Sequence, residues 1–250
     1  MTQLLKLDSV TGGYQRTKPV LKDVSFEVNR NEIVGLIGLN GAGKSTTIKH
    51  ILGLMEPHSG TITLQNKLIK DDVEAYRKSI AYIPETPLLY DELTLWEHLE
   101  LTAMAYQVPQ EEFANRANNL LKEFRMTKMK KWFPNQFSKG MRQKVMIMSA
   151  FLVNPSLYIA DEPFVGLDPV GISSFLHHMQ EFKDSGCGIL MSTHILSTAE
   201  KYCDRFIFLH HGELIMQGTI EELREQASMP GADLDDIYVQ VTKEESNEGA

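Results

Sequence analysis

Four short stretches of this 250-residue chain carry residue types spaced for phosphate chemistry. The first, GLNGAGKST from Gly38 to Thr46, matches G-x-x-x-x-G-K-[ST] at Gly38, Gly43, Lys44 and Ser45. Glycines in such a loop let backbone N–H groups curl around phosphate oxygens, the lysine reaches β- and γ-phosphates, and the serine hydroxyl can ligate Mg²⁺. The second, SLYIADEP, ends an apolar run with Asp161 and Glu162. An acidic pair at a strand end can orient Mg²⁺ through Asp161 and polarise an attacking water through Glu162. A plain polar strand exit is the simpler alternative. The third is His194, after GILMST, where an imidazole at the same sheet edge could reach a γ-phosphate, unless it is merely a surface residue. The fourth is FSKGMRQKV from Phe137 to Val145. Ser138 caps a helix start whose free N–H groups suit an anion, and Gly140 permits close approach, although an ordinary capped helix has the same features.

The elements that would position these residues alternate between strand and helix patterns. LLKLDSV and VSFEV read as early strands, and EIVGLIG is a continuous apolar run ending at the glycine loop, as a buried parallel strand does. KSTTIKHILGLM has helical spacing and ends near Gly53, with Pro57 beyond it. TITLQN, SIAYIP, SLYIAD, GILMST and RFIFLH are further strands, and helices are expected at Val170 to Lys183 and Ser197 to Tyr202. Between Thr94 and Leu152 three stretches have helical periodicity with no strand between them, so a helical lobe is inserted into an α/β core. The acidic end predicts a short strand around Ile237 to Val241, then fraying.

The composition is globular, with 42% apolar and 23% charged residues. A net charge of −8 without a segregated basic patch argues against a nucleic-acid partner. Cys187 and Cys203 lie in apolar segments without metal-ligand spacing and read as reduced core thiols. His177 and His178 are adjacent on a helix, and His210 and His211 fall in a hairpin turn, so neither pair is expected to hold a metal. No secretory signal is recognised, and the longest apolar stretch, near Val145 to Val153, is too short to span a bilayer. Action at a membrane would require separate chains.

Taken in order, Tyr14, GLNGAGKST, FSKGMRQKV, SLYIADEP, Gly166-Leu167-Asp168 and His194 resemble the ATP-binding subunit of ABC transporters over nearly the whole chain. IAYIPETPLLYDELTLWEHLELTAMAY and FPNQFSKGMRQKVMIMSAFL further resemble the Ecs-type ABC transporter ATPases of Gram-positive bacteria. The resemblance implies an α/β P-loop NTPase: an ABC-type ATPase core with an inserted α-helical lobe and an N-terminal antiparallel β subdomain. The ATPase domain would span 1–227, with the lobe at about 90–153, and a short acidic extension would occupy 228–250. It implies ATP and Mg²⁺ as cofactors. Gly38, Asn40, Gly41, Ala42, Gly43, Lys44, Ser45 and Thr46 would cradle the nucleotide, and Tyr14 would be the adenine platform. Lys44, Glu162 and His194 would be catalytic, and Ser45, Asp161 and Glu85 would serve the metal.

It also accounts for two phosphate-facing helix starts in one chain. Two ATPase subunits pair head to tail, and Ser138 and Gly140 of each cap the nucleotide held by the other, with Asp168 coupling the two sites. The implied partners are that second subunit and membrane-spanning transporter subunits, which hold the protein at the inner face of the cell membrane, with export the expected direction. A soluble ABC-class ATPase of a scaffold or assembly machine is the alternative. Leu88, Leu89 and Tyr90 are candidates for a docking groove or for core, and Met126, Met129, Met141, Met146 and Met148 are expected mostly in core. The chain departs from the family pattern at Glu85, which stands where glutamine is usual and cannot donate a hydrogen bond, and at Lys139 and Met141 in the signature. Gln143 takes the family's polar position within the signature helix, where a solvated face is the simpler reading.

Overall fold

A computed structural model describes residues 2–248. Strands β3 (Glu32–Ile37), β7 (Leu157–Asp161) and β8 (Gly188–Thr193) are buried at every position. They are apolar on both faces because both faces are covered. With β6 (Ile80–Ile83), β9 (Arg205–His210) and β10 (Glu213–Gly218) they form a six-stranded sheet in the order β10-β9-β3-β8-β7-β6. All neighbours are parallel except the β9/β10 hairpin at the edge.

Alternation along these strands divides the core. Ile33, Tyr158, Ala160, Ile189 and Met191 face one apolar cluster, whereas Val34, Leu36, Ile159 and Leu190 face another. The second cluster is closed by a four-stranded antiparallel sheet of β2 (Leu21–Asn29), β1 (Gln3–Gly12), β4 (Ser59–Leu64) and β5 (Lys67–Leu68), in that order. Helix α1 (Lys44–Ile51) packs in the same layer through Ile48 and Ile51, and α2 (Val73–Lys78) adds Tyr76.

The first cluster is closed by α3 (Leu95–Ala105), α4 (Gln110–Glu123), α5 (Lys139–Phe151) and α6 (Pro169–Asp184). The expected helical insertion is present, and among the described residues no strand lies between β6 and β7. Thr94 starts α3 with a reciprocal capping box to Glu97, and Asp168 caps α6 ahead of Pro169. Met126 and Met148 are buried in this cluster and Met129 and Met141 pack against it, while Leu88 and Tyr90 are exposed.

A third cluster joins α7 (Leu196–Tyr202), β9, β10, α8 (Ile220–Gln226) and α9 (Leu234–Glu248). The strand expected at Ile237 to Val241 is instead part of α9. Leu234, Ile237, Tyr238 and Val241 recur at helical spacing and join this apolar cluster, which decides the period over the local alternation of Tyr-Val-Gln-Val. Among the described residues, no helix is long and apolar enough to cross a membrane.

Candidate functional site

The glycine loop leaves the C-terminal end of β3, where ligands of open α/β sheets bind. Gly41 (φ 86°) and Gly43 (φ 113°) adopt left-handed conformations that turn the chain into α1. Gly38 has no room for a side chain, since a Cβ there would stand 2.7 Å from the Leu209 carbonyl oxygen. The Ala42 N–H donates to the Leu39 carbonyl at 3.1 Å, and Lys44 Nζ donates to the Gly38 carbonyl at 2.7 Å. The lysine is buried, with its ammonium 3.5 Å from Glu162 Oε1.

Asp161 and Glu162 lie at the same edge, one strand beyond β8, and both are buried. Glu162 takes φ 47°, a left-handed backbone conformation that costs a non-glycine residue free energy. Ser192 of β8 holds this turn, accepting the Glu162 N–H on its carbonyl and its Oγ, each at 3.1 Å, while donating that hydroxyl proton to Asp161 Oδ1. Glu162 Oε2 lies 2.8 Å from His194 Nδ1 and 3.3 Å from the His194 backbone nitrogen. Its other oxygen, Oε1, is buried with the Lys44 charge nearby but without a hydrogen-bond donor. A carboxylate oxygen in this position can accept a hydrogen bond from a water.

Lys44, Glu162 and His194 line one cavity of about 430 Å³ with Asn40, Gly41, Gly43, Ser45, Thr46, Glu85 and Tyr14. Tyr14 stands at its rim, 65% exposed, and accepts a hydrogen bond from Lys49 Nζ at 3.0 Å. That bond lowers the phenol's pKa. Asp161 and Glu85 make themselves felt at Tyr82, whose phenol is pushed up by burial first and by these two carboxylates second. Ser45 and Glu85 line this cavity with oxygen donors of the kind a hard cation takes, whereas Asp161 is not among its lining residues. Among the described residues no three or more His, Cys, Asp or Glu side chains converge to hold an ion alone.

Ser138, Gly140 and Asp168 do not line that cavity. Ser138 caps α5, accepting the Met141 N–H at 3.3 Å. Gly140 is held against Gly166, where a Cβ would come within 2.1 Å of the Gly166 carbonyl oxygen. Asp168 accepts from Lys144 Nζ at 2.9 Å and from the Gly171 N–H at 2.7 Å, and these two bonds lower its pKa, the lysine first. The signature helix start and the Gly166-Leu167-Asp168 turn therefore form one unit within the chain.

Gln143 is not on a solvated face. It is fully buried, and its Nε2 donates to the Pro84 carbonyl at 3.2 Å, tying the signature helix to the residue before Glu85. A lone glutamine among charged neighbours gave no signal of this. Ser192 was likewise unmarked in the sequence, although its place one residue from the end of a buried strand beside Asp161 is where such a support must stand. Cys187 and Cys203 are free thiols whose pKa values burial raises, in keeping with inert packing residues.

A glycine cradle running into a helix, with a lysine and an acidic strand end converging on one cavity, defines a P-loop nucleotide hydrolase. Residues 21–165 match the ABC transporter family model, and the chain belongs to that family as an ATP-binding subunit with ATPase activity. It is 61% identical over 243 residues to the ABC-type transporter ATP-binding protein EcsA of Bacillus subtilis (strain 168), spanning 97% of this chain and 98% of that one. A solved ATP-binding subunit of an ABC transporter superposes with a TM-score of 0.93 at 55% identity, covering 96% of this chain and 99% of the other. A dimeric ATP-binding cassette in a post-hydrolysis state, bound to ADP and Pi, superposes with a TM-score of 0.77 at 27% identity, covering 87% and 99% of the two chains.

Proposed function

We propose that this protein powers an ABC exporter, closing head to tail with a second ATPase subunit on MgATP and moving separate membrane-spanning subunits as it does so. The observation that carries the reading is the buried Glu162 carboxylate, which sits between Lys44 and His194 with Oε1 lacking a hydrogen-bond donor. In this reading the amides from Gly41 to Thr46 and the Lys44 ammonium take the β- and γ-phosphates, and the exposed Tyr14 ring offers a stacking surface for adenine. Ser45, Asp161 and Glu85 would hold Mg²⁺, which would supply positive charge against the phosphoryl oxygens. Glu162 orients the attacking water and His194 steadies the γ-phosphate, so catalysis is chiefly positioning and electrostatics.

Ser138 and the Gly140 backbone lie outside the cavity of their own chain, which agrees with their serving the site of a partner. A triphosphate between Lys44 of one subunit and α5 of the other holds the pair together, and its hydrolysis releases them. The match to the dimeric ADP-bound cassette supports this arrangement. The Ecs-type resemblance supports export. An inner-face location follows from membrane partners, and a division at residue 227, before α9, follows from the family pattern. Glu162→Gln tests the reading: it should bind ATP, lose about a hundredfold or more of turnover and accumulate as a dimer in MgATP. Near-normal turnover would reject Glu162 as the key residue.

A further inference from the structure

We propose that Tyr238, near the C-terminal end of the chain, is a positioning residue for the nucleotide loop, acting through the Leu39 amide on the carbonyl that anchors Lys44. The Leu39 N–H donates to Tyr238 Oη at 3.0 Å, across 199 residues of sequence. This N–H shares a peptide plane with the Gly38 carbonyl, and in a trans peptide the two point in opposite directions. Lys44 Nζ donates to that carbonyl oxygen at 2.7 Å. Holding one end of the plane therefore fixes the other end, and with it the resting place of the ammonium.

Beyond the Tyr238 bond, the Leu39 carbonyl accepts the Ala42 N–H at 3.1 Å, a contact internal to the loop. The Leu39 side chain is 60% exposed, so packing does not anchor it, whereas the Tyr238 ring is buried and meets Phe208 edge-on at 5.3 Å. The ring shares an apolar cluster with Ile37, the last residue of β3 before the loop. Helix α9 is itself secured at its start, where the Leu234 N–H donates to Glu200 Oε2 at 2.9 Å and Arg224 Nε donates to the Ala232 carbonyl at 2.8 Å. The C-terminal helix thus acts as a rear support for the phosphate cradle, and displacing it would loosen ATP binding through Leu39, although no residue of α9 lines the cavity.

The inference rests on the loop being the ATP site, and the test separates the two. Tyr238→Phe in the full chain keeps the ring and removes only the hydroxyl. It should weaken binding of a fluorescent ATP analogue about fivefold, the worth of one hydrogen bond, with the melting temperature within about 2 °C of wild type. In the wild type, the Leu39 amide should be protected from hydrogen exchange, and in the variant that protection should fall. Wild-type affinity in Tyr238→Phe, or an unprotected Leu39 amide in the unaltered chain, overturns the proposal. Lys44→Ala is measured in parallel: if it binds ATP normally, the reading of the loop itself fails, whereas its loss of binding beside an unaffected Tyr238→Phe rejects only the role of Tyr238.

Discussion

The Gln143 side chain donates its amide proton to the Pro84 carbonyl across 3.2 Å, inside the contact between the signature helix and the Glu85 loop. Its Oε1 is buried without a partner, so the pair is matched in one direction only. Gln143→Glu would place a carboxylate against a carbonyl, two acceptors in a dry setting. The variant should lose about 2–4 kcal/mol at pH 7. Burial raises such a carboxyl's pKa in the folded state, so its protonated form can donate to Pro84 and the deficit should shrink as pH falls toward 5. Urea unfolding at both pH values checks this, and a deficit that grows on acidification would show that the contact is wrongly described.

Ser138 separates a capping role from a role between subunits. Ser138→Ala removes the cap on the Met141 N–H and should cost about 1 kcal/mol of stability. Ser138→Arg should leave ATP binding by an isolated subunit intact, because the residue does not line its own cavity, yet abolish activity of the dimer. Equal ATPase activity in the arginine variant would exclude the signature from the site.

The parts of this protein visible in its sequence are those whose reasons are local. Strands β3, β7 and β8 declare themselves by unbroken apolar runs, and Gly38 to Thr46 is a contiguous motif that brings its own strand and helix. Residues whose reasons are distant stay hidden. Gln143 looks solvated because its partner is a backbone carbonyl 59 residues away, and Tyr238 looks like part of a strand because its partners are Phe208 and the Leu39 amide. Helix α8 is an intermediate case: Thr219 and Glu222 form a capping box legible as T-x-x-E, a signal that the strand and helix patterns do not include.

The approach of Gly140 to Gly166 leaves no space for a methyl group. A Cβ at Gly140 would lie 2.1 Å from a backbone oxygen, so relief requires the Gly166 turn to shift rather than a side chain to rotate. Gly140→Ala should lose about 1–3 kcal/mol, the usual cost of overpacking. A urea midpoint equal to wild type would mean that the turn yields freely.

Tyr76 offers a test at alkaline pH. Its hydroxyl is buried and donates to the Ile51 carbonyl at 2.9 Å, and burial pushes its pKa from 10.0 up to about 12. The folded state favours the neutral phenol, so this contribution to stability is complete below the unfolded pKa near 10 and is lost as pH rises toward 12. The loss amounts to about 2–3 kcal/mol over that window. Tyr76→Phe gives up the hydrogen bond, about 1 kcal/mol, at neutral pH but has no proton to lose. The two stability curves should therefore cross above about pH 10, with the phenylalanine variant the more stable beyond the crossing. Other buried tyrosines titrate equally in both proteins and cancel in the difference. Parallel curves through pH 12 would show that Tyr76 is solvated in solution.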